Sequence, residues 1–375
     1  MKRIFAVLAM LVCVIGGITG ILLLGNDEGD DVSTKKVQDA AGGDHGITEI
    51  SSKESVNTEK KPVDTTETTE DAVSELVDKT MAEMSLHDKV CQMMFVTPEG
   101  LTGTDDVMVA GDATKQALQA YPVGGIIYFA NNFDNVDQTR DMISNTQSYS
   151  KMGLFIATDE EGGTVVRVSK FPQYRLSPFT SQIVLARDGE DAVRDENIEK
   201  AELLLSLGIN FNLAPVADIT ENHSDYIYDR TFGENTENTA KYVAAAVEGM
   251  TEGSIMSCLK HFPGYGPNVD THTGSANDDR SRSSFENTDF LPFQSGIDAG
   301  APAVMVNHNV VSAFDSESPA SLSAEVHSVL RDELNFEGII LTDDLGMDAI
   351  TNFAAEADES PYVLAVNAGN DMLCT

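Results

Sequence analysis

The stretch IMSCLKHFPGYGPNVDTHTG, residues 255–274, joins a short apolar run to a loop that is rich in glycine and proline. A run such as 255–259, bounded by glycine and proline, is typical of a strand that is buried on both faces. The following loop is too broken by glycine and proline to be a helix. It carries one lysine, two histidines and one aspartate: Lys260, His261, Asp270 and His272.

Similar apolar runs recur along the chain: Val90–Val96, Val123–Phe129, Leu154–Ala157, Ile209–Leu213, Ala303–Val306, Gly338–Leu341 and Asp371–Cys374. Amphipathic segments that predict helices separate them, for example 71–84, 190–208 and 237–253. Eight strands alternating with helices favour a (β/α)8 TIM-type barrel over a doubly wound open sheet. The eighth run ends next to Thr375, the last residue. We therefore expect either a truncated barrel or another segment over that face.

The N-terminus predicts a membrane anchor. Lys2 and Arg3 precede mostly apolar residues 4–25, which are long enough to span a bilayer and lack a clear cleavage pattern. Residues 1–25 are thus predicted to be an uncleaved signal anchor with its positive end in the cytoplasm; a cleaved signal peptide is the alternative. Residues 26–72 hold 13 acidic and no aromatic residues, which predicts a disordered linker rich in Ser and Thr. The barrel domain then spans 73–375, beyond the membrane.

Charge and cysteine usage exclude several classes of protein. A net charge of −37 repels nucleic acid and anionic lipid, so we expect no nucleic-acid partner and membrane contact only through the N-terminal helix. Cys91, Cys258 and Cys374 lie in or beside apolar runs, far apart in the sequence. This pattern predicts buried small side chains rather than disulfides or a zinc site.

Polar side chains follow most of the predicted strands. In a (β/α)8 barrel the carboxyl ends of the strands form one rim, where function collects. Any one of these side chains could instead cap a helix or lie in solvent, but together they predict an active site at this rim. They are Asp159, Arg167, Asp218, Arg230, His308, Asp343 and Asp344.

Four motifs in this order resemble those of glycoside hydrolase family 3, specifically its β-N-acetylhexosaminidase branch. They are DEEGGTVVR (159–167), DRTFG (229–233), KHFPGYGPNVDTH (260–272) and TDDLGMDAI (342–350). The resemblance covers essentially the whole domain. It implies a hydrolase that retains anomeric configuration through a covalent glycosyl-enzyme intermediate, acting on terminal β-linked N-acetylglucosamine. It implies neither a metal nor an organic cofactor.

The resemblance also implies roles for individual residues. Asp343 matches the nucleophile, and His272 the acid/base that is paired with Asp270. Free imidazole titrates near pH 6.5, which suits a group that both gives and takes a proton. The implied substrate-binding residues are Asp159, Arg167, Arg230, Lys260, His261 and His308. One departure is Tyr265, where the family has a histidine; tyrosine cannot carry a positive charge at neutral pH.

Three alternatives remain open at this point. One is a β-N-acetylglucosaminide phosphorylase of the same family. A second is a metal-dependent hydrolase with ligands His261, His272, His308 and Asp343, although the first apolar run lacks the H-x-H pair common in such enzymes. The third is a non-catalytic wall-binding relative, which the intact Asp343, Asp270 and His272 disfavour. We expect a monomeric bacterial enzyme, anchored in the cell membrane or secreted, that acts outside the cell on peptidoglycan-type glycans.

Overall fold

The computed structural model describes residues 69–233, 235–268, 270–271 and 274–375. The predicted anchor and most of the predicted linker lie outside these residues. No helix in the described ranges is long and apolar enough to cross a membrane. The first described helix, α1 (Thr69–Glu83), begins shortly before the predicted domain boundary at residue 73.

Ten strands are present in the described residues, and eight of them form a barrel. The strands are β1 Met94–Val96, β2 Gly125–Ile127, β3 Phe155–Thr158, β4 Phe211–Asn212, β5 Cys258–Phe262, β6 Asn277–Asp278, β7 Ala303–Val306, β8 Val310–Val311, β9 Ile339–Thr342 and β10 Leu373–Cys374. Two parallel ladders, β10-β1-β2-β3-β4 and β5-β7-β9, are joined by single parallel bridges between Phe211 and Met256, Val216 and Lys260, and Leu341 and Met372. The ring is thereby closed, which confirms the predicted barrel. Strands β6 and β8 form a separate two-stranded sheet outside the barrel and were not predicted.

The barrel interior is filled with apolar side chains. The rings of Phe95 and Phe155 each lie 5.9 Å from the ring of Phe211. A methyl group added at Gly125 would lie 2.1 Å from the Phe95 ring, so only glycine fits there. Cys258 and Cys374 are buried in this interior, and all three described cysteines are free, as predicted. Because the interior is packed, a substrate must bind at a rim.

Helices surround the barrel. The remaining helices are α2 Leu86–Gln92, α3 Pro98–Thr102, α4 Asp112–Ala120, α5 Val136–Tyr149, α6 Gln182–Leu185, α7 Glu190–Ser206, α8 Thr236–Glu252, α9 Arg282–Asn287, α10 Phe290–Asp298, α11 Ala324–Ser328, α12 Asp348–Ala357 and α13 Pro361–Ala368. Helix α8 packs against both α7 and α10. At Gly249, on α8, an added methyl group would lie 2.4 Å from the carbonyl oxygen of Arg194 on α7. The helices therefore approach closely enough to cover the outside of the barrel.

Two predicted strand runs differ from the structure in their positions. The run Val90–Val96 begins in a helix, because Ser85 and Asp88 form a capping box that starts α2 at Leu86. Only Met94–Val96 pairs as a strand. The run Ile255–Leu259 is displaced towards the C-terminus, since the ladder with β7 pairs Cys258 with Ala303 and Phe262 with Val306. Two ionisable residues thus lie inside β5, where an apolar pattern does not predict them.

Candidate active site

The carboxyl ends of the barrel strands carry a cluster of ionisable side chains. Asp159 directly follows β3, Lys260 and His261 belong to β5, and Asp343 directly follows β9. Because the strands are parallel, these ends lie at one rim of the barrel. The structure therefore brings together residues that are up to 184 positions apart in the sequence (159 to 343).

Lys260 is the buried centre of this cluster. Its side chain is 2% exposed, and its Nζ lies 2.7 Å from Asp159 Oδ1 and 2.7 Å from Glu161 Oε1. Burial alone would lower the pKa of Lys260, but the carboxylates of Asp159 and Glu161 outweigh that effect and raise it. The lysine is therefore a fixed positive charge at the rim.

Glu161 links Lys260 to Arg230. Both Nε and Nη2 of Arg230 donate to its carboxylate, at 3.0 and 2.7 Å. Burial would raise the pKa of Glu161, but Arg230 and Lys260 hold it well below its usual range. Glu161 is not among the predicted site residues, although it lies within the DEEGG motif, because nothing in the pattern separates it from Glu160. The carboxylate of Glu160 instead accepts the backbone N–H groups of the following loop, those of Arg167, Val168 and Ser169.

His261 is oriented by two neighbours. Its Nδ1 lies 2.7 Å from Asp218 Oδ2, and its Nε2 lies 3.2 Å from Nη2 of Arg230. A guanidinium can only donate and a carboxylate can only accept. The geometry therefore fits a neutral ring with its proton on Nδ1 and its Nε2 lone pair directed at Arg230. Asp218, which the sequence left between a functional and a structural role, holds this ring in place.

Arg167 lies at the side of the cluster. Its Nη2 is 3.5 Å from Asp159 Oδ2, and its guanidinium stands 5.4 Å from the centre of the Phe129 ring. Its Nε is buried and makes no hydrogen bond within the described ranges. Such an N–H can donate to a ligand oxygen without first losing a protein partner.

Asp343 is positioned by backbone hydrogen bonds at the end of β9. Its N–H donates to Val306 O at 3.0 Å, and its Oδ1 accepts the N–H of Asp344 at 2.9 Å. Burial would raise the pKa of Asp343, but the nearby His308 and His261 rings, the Asp344 amide and Lys260 together lower it. The carboxyl group is thus ionised at neutral pH and held by a rigid strand end.

The neighbouring acid and histidine support this turn. Asp344 is exposed, and its Oδ1 accepts the N–H of Gly346 at 2.8 Å, so it closes a tight turn rather than capping α12. His308 is 1% exposed; its Nε2 lies 2.9 Å from Asp344 O and its Nδ1 2.8 Å from Ser321 Oγ. The structure thus places His308 beneath the turn that carries Asp343. Its predicted contact with substrate stays a prediction.

Asp270 lies on residues 263–276, which we call the β5–β6 loop. Its carboxylate affects the pKa of Tyr226, a half-exposed residue in the segment between β4 and α8. Burial raises the pKa of Tyr226, the Arg230 guanidinium opposes this, and the Asp270 charge adds to it. Tyr226 therefore lies near both Asp270 and Arg230. The predicted acid/base residue His272 lies outside the described residues.

In the described ranges, no group of three His, Cys, Asp or Glu side chains is arranged to hold a metal ion. The ring nitrogens of His261 and His308 are all within hydrogen-bond distance of protein groups. His261 and His308, two of the four ligands in the metal-hydrolase alternative, therefore already have hydrogen-bond partners within the protein.

A family model described as the glycosyl hydrolase family 3 N terminal domain matches residues 85–375. The chain belongs to glycosyl hydrolase family 3. The predicted family is thereby confirmed, and with it the class of enzyme, a glycoside hydrolase.

Relatives within the family carry related names. The chain is 34% identical to a Beta-hexosaminidase of Alkalilimnicola ehrlichii over 267 residues, which cover 69% of this chain and 75% of that protein. It is 32% identical to Beta-hexosaminidase A of Pseudoalteromonas piscicida over 285 residues, covering 69% of this chain and 46% of that protein. The chain thus spans about half the length of the second relative.

Solved structures agree with the barrel architecture. A glycoside hydrolase family 3 β-N-acetylglucosaminidase from Paenibacillus sp. superposes with a TM-score of 0.70 at 29% identity, covering 78% of this chain and 55% of that one. NagZ from Neisseria gonorrhoeae, solved with N-trifluoroacetyl-D-glucosamine, gives a TM-score of 0.64 at 29% identity, covering 76% of this chain and 80% of that one. Both likenesses support the fold and the family.

Proposed function

We propose that this chain is a retaining β-N-acetylhexosaminidase that releases terminal, non-reducing, β-linked N-acetylglucosamine from glycans such as peptidoglycan fragments. The position of Asp343 carries the proposal. Its carboxylate is held at the end of β9, its pKa is lowered, and it faces a rim that contains Lys260 and His261. A carboxylate nucleophile needs this combination of ionisation and fixed position.

The proposed reaction has two steps. In the first, an oxygen of Asp343 attacks the anomeric carbon, and the bond from that carbon to the leaving oxygen breaks. His272 donates a proton to the leaving oxygen. In the second, His272 takes a proton from water, whose oxygen attacks the same carbon and releases Asp343 as a carboxylate. Asp270 accepts the other ring N–H of His272 and stabilises its charged form.

The charged cluster, which consists of Asp159, Glu161, Arg230, Lys260 and His261, holds the sugar in this proposal. Asp159 accepts hydrogen bonds from sugar hydroxyl groups, while Lys260 and His261 contact neighbouring oxygens. Such charge-assisted bonds orient the ring more strongly than neutral ones. Arg230 and Arg167 serve the sugar or its acetamido group; the unused Nε of Arg167 supports a ligand contact there. We propose that His308 supports the turn that carries Asp343, in addition to its predicted role in lining the pocket.

Hydrolysis of an aryl N-acetyl-β-glucosaminide by the full chain tests the proposal. Asp343→Asn should lower kcat/KM by more than about 1,000-fold, because the nucleophile of a covalent mechanism is lost. Asp344→Asn is the matched control, since it changes an exposed acid one position away and should stay within about 10-fold of wild type. Similar losses in both variants would contradict the assignment of Asp343.

Added phosphate separates the proposal from its nearest alternative. The hydrolase should work equally well without phosphate and should release free N-acetylglucosamine. Activity that requires phosphate and yields the sugar phosphate would instead identify a phosphorylase. Lack of turnover on N-acetyl and plain β-glucosides, in a chain that circular dichroism shows to be folded, would favour the non-catalytic relative.

We further propose that residues 1–25 anchor a monomer in a bacterial cell membrane, with the barrel outside the cell. Lys2 and Arg3 before an apolar stretch of bilayer length support this. The full chain should stay with membranes after an alkaline wash and be open to external protease. Deletion of residues 1–25 should release it. A chain found in the medium with a new N-terminus would show a cleaved signal instead.

A further inference from the structure

Tyr265 occupies the position at which the sequence departs from its family, and its side chain is buried. The ring is 3% exposed; it stands edge-on to His261 at 5.7 Å and lies 5.8 Å from the Tyr226 ring. Its hydroxyl accepts the backbone N–H of Thr271 at 2.9 Å and lies 3.1 Å from Thr271 Oγ1. Thr271 is itself fully buried. One phenol therefore contacts both the backbone N–H and the hydroxyl group of the residue that follows Asp270.

The backbone of Tyr265 is equally well held. Its N–H donates to Asp218 Oδ1 at 2.7 Å, and the other oxygen of Asp218 lies 2.7 Å from His261 Nδ1. Its carbonyl accepts from Nδ2 of Asn268 at 2.7 Å and of Asn309 at 3.2 Å. A continuous chain of hydrogen bonds thus runs from the proposed sugar-binding residue His261 through Tyr265 to Thr271.

The chemistry of a phenol suits this place. A hydroxyl can accept the Thr271 N–H and donate its own proton to Thr271 Oγ1 at the same time. Burial raises the pKa of Tyr265 to about 12, although the Thr271 hydrogen bonds oppose this. The group therefore stays neutral, and its donor and acceptor pattern does not change, throughout the physiological pH range.

We propose that Tyr265 is a positioning residue that fixes the β5–β6 loop through Thr271 and so keeps Asp270 beside Tyr226. This rests on the proposed function, in which Asp270 supports the acid/base. Tyr265→Phe keeps the ring contacts and removes only the hydroxyl. It leaves the buried Thr271 N–H without its acceptor, so that Asp270 loses its fixed position.

Acid catalysis matters most for a poor leaving group, and it contributes about 10²–10⁴-fold to typical reactions. Tyr265→Phe in the full chain should therefore lower kcat/KM on the phenyl N-acetyl-β-glucosaminide by roughly 10-fold more than on the 4-nitrophenyl one. Hydrogen exchange in the peptide that contains Thr271 should also become faster. A purely structural role would lower both rates alike and leave their ratio unchanged.

Tyr128→Phe is the matched control. Tyr128 is also buried, and its hydroxyl lies 2.9 Å from Thr146 Oγ1, but on the helix side of the barrel wall. This variant should change neither the ratio of the two rates nor exchange at Thr271. If Tyr265→Phe leaves either the ratio or the exchange as in wild type, the proposal is overturned. A wild-type chain that cleaves neither glycoside would overturn the proposed function, while the exchange data would still decide whether Tyr265 holds Thr271.

Discussion

Two parts of the rim are held in place by different forces. In the charged cluster, buried Lys260 and Glu161 are paired with Asp159 and Arg230 at 2.7 Å. In the β5–β6 loop, the bonds around Thr271 are neutral hydrogen bonds to one tyrosine. Removing one partner of a buried ion pair costs about 3–5 kcal/mol, whereas a neutral hydrogen bond contributes about 0.5–1.5 kcal/mol. The proposed sugar site is therefore fixed by the folded barrel, and the proposed acid/base support by far weaker contacts.

The largest expected effect comes from breaking the charged cluster. Glu161→Gln leaves Arg230 without its buried counter-charge and Lys260 with only Asp159. The free energy of unfolding should fall by about 3–5 kcal/mol, measured by urea denaturation.

Glu199→Gln provides the control for that experiment. Glu199 forms an ion pair with Arg175 in which the glutamate is 52% exposed, so its loss should cost about 0–1 kcal/mol. Equal losses in the two variants would mean that burial does not distinguish the cluster from the surface, and the comparison of the two regions would fail.

These two regions also differ in how far the sequence predicts them. Lys260 directly follows the predicted run 255–259, and Asp343 comes two positions after the run 338–341, so counting strands placed both at the rim of a barrel. Glu161 has no such signal: it lies in a loop beside Glu160, and only the fold decides which of the two faces Arg230. Long-range ion pairs of this kind depend on distances that local pattern does not encode.

Element boundaries show the same limit. The apolar pattern placed a strand from Val90, but the Ser85 capping box continues the helix to Gln92. It also ended the fifth strand before Lys260, because charged residues seldom lie in buried strands. Here Asp159 and Glu161 neutralise the lysine within the strand. The existence of the eight barrel strands followed from composition, whereas their ends followed from side-chain contacts.

Asp218 joins the two regions, since it binds both His261 and the backbone of Tyr265. In Asp218→Asn the amide can present either its oxygen or its NH₂ group to His261, so the preferred tautomer is lost. If the proposed function holds, kcat/KM on the aryl N-acetyl-β-glucosaminide should fall by about 100-fold, which corresponds to about 2.7 kcal/mol. Asp229→Asn, an exposed acid beside Arg230, should change it little. Equal activity in both variants would mean that the orientation of His261 by Asp218 is not needed for catalysis.

Acid stability offers a smaller and more selective test. The pKa of Glu161 is lower in the folded chain than in the unfolded one, where it is about 4.3. Its contribution is therefore fully present above that value and is lost as the pH falls below it. Each such carboxyl adds a slope of up to about 1.4 kcal/mol per pH unit. Glu161→Gln should flatten the stability curve below pH 4, and a variant curve parallel to wild type would contradict the lowered pKa.

The smallest effect is expected at Tyr226, where the two regions meet. Its hydroxyl is influenced by Arg230 on one side and Asp270 on the other, and the residue is 43% exposed. Because water can replace much of what a half-exposed hydroxyl donates, Tyr226→Phe should lower kcat/KM only about 2- to 10-fold, in line with a hydrogen bond worth about 0.5–1.5 kcal/mol. Tyr121→Phe should have no effect, because Tyr121 precedes the amino end of β2 and the rim is at the carboxyl ends of the strands. A loss above about 100-fold would exceed what such a hydrogen bond supplies. Tyr226 would then have to contact the substrate itself. In that case the weaker region of the rim would include a residue as critical as those of the charged cluster.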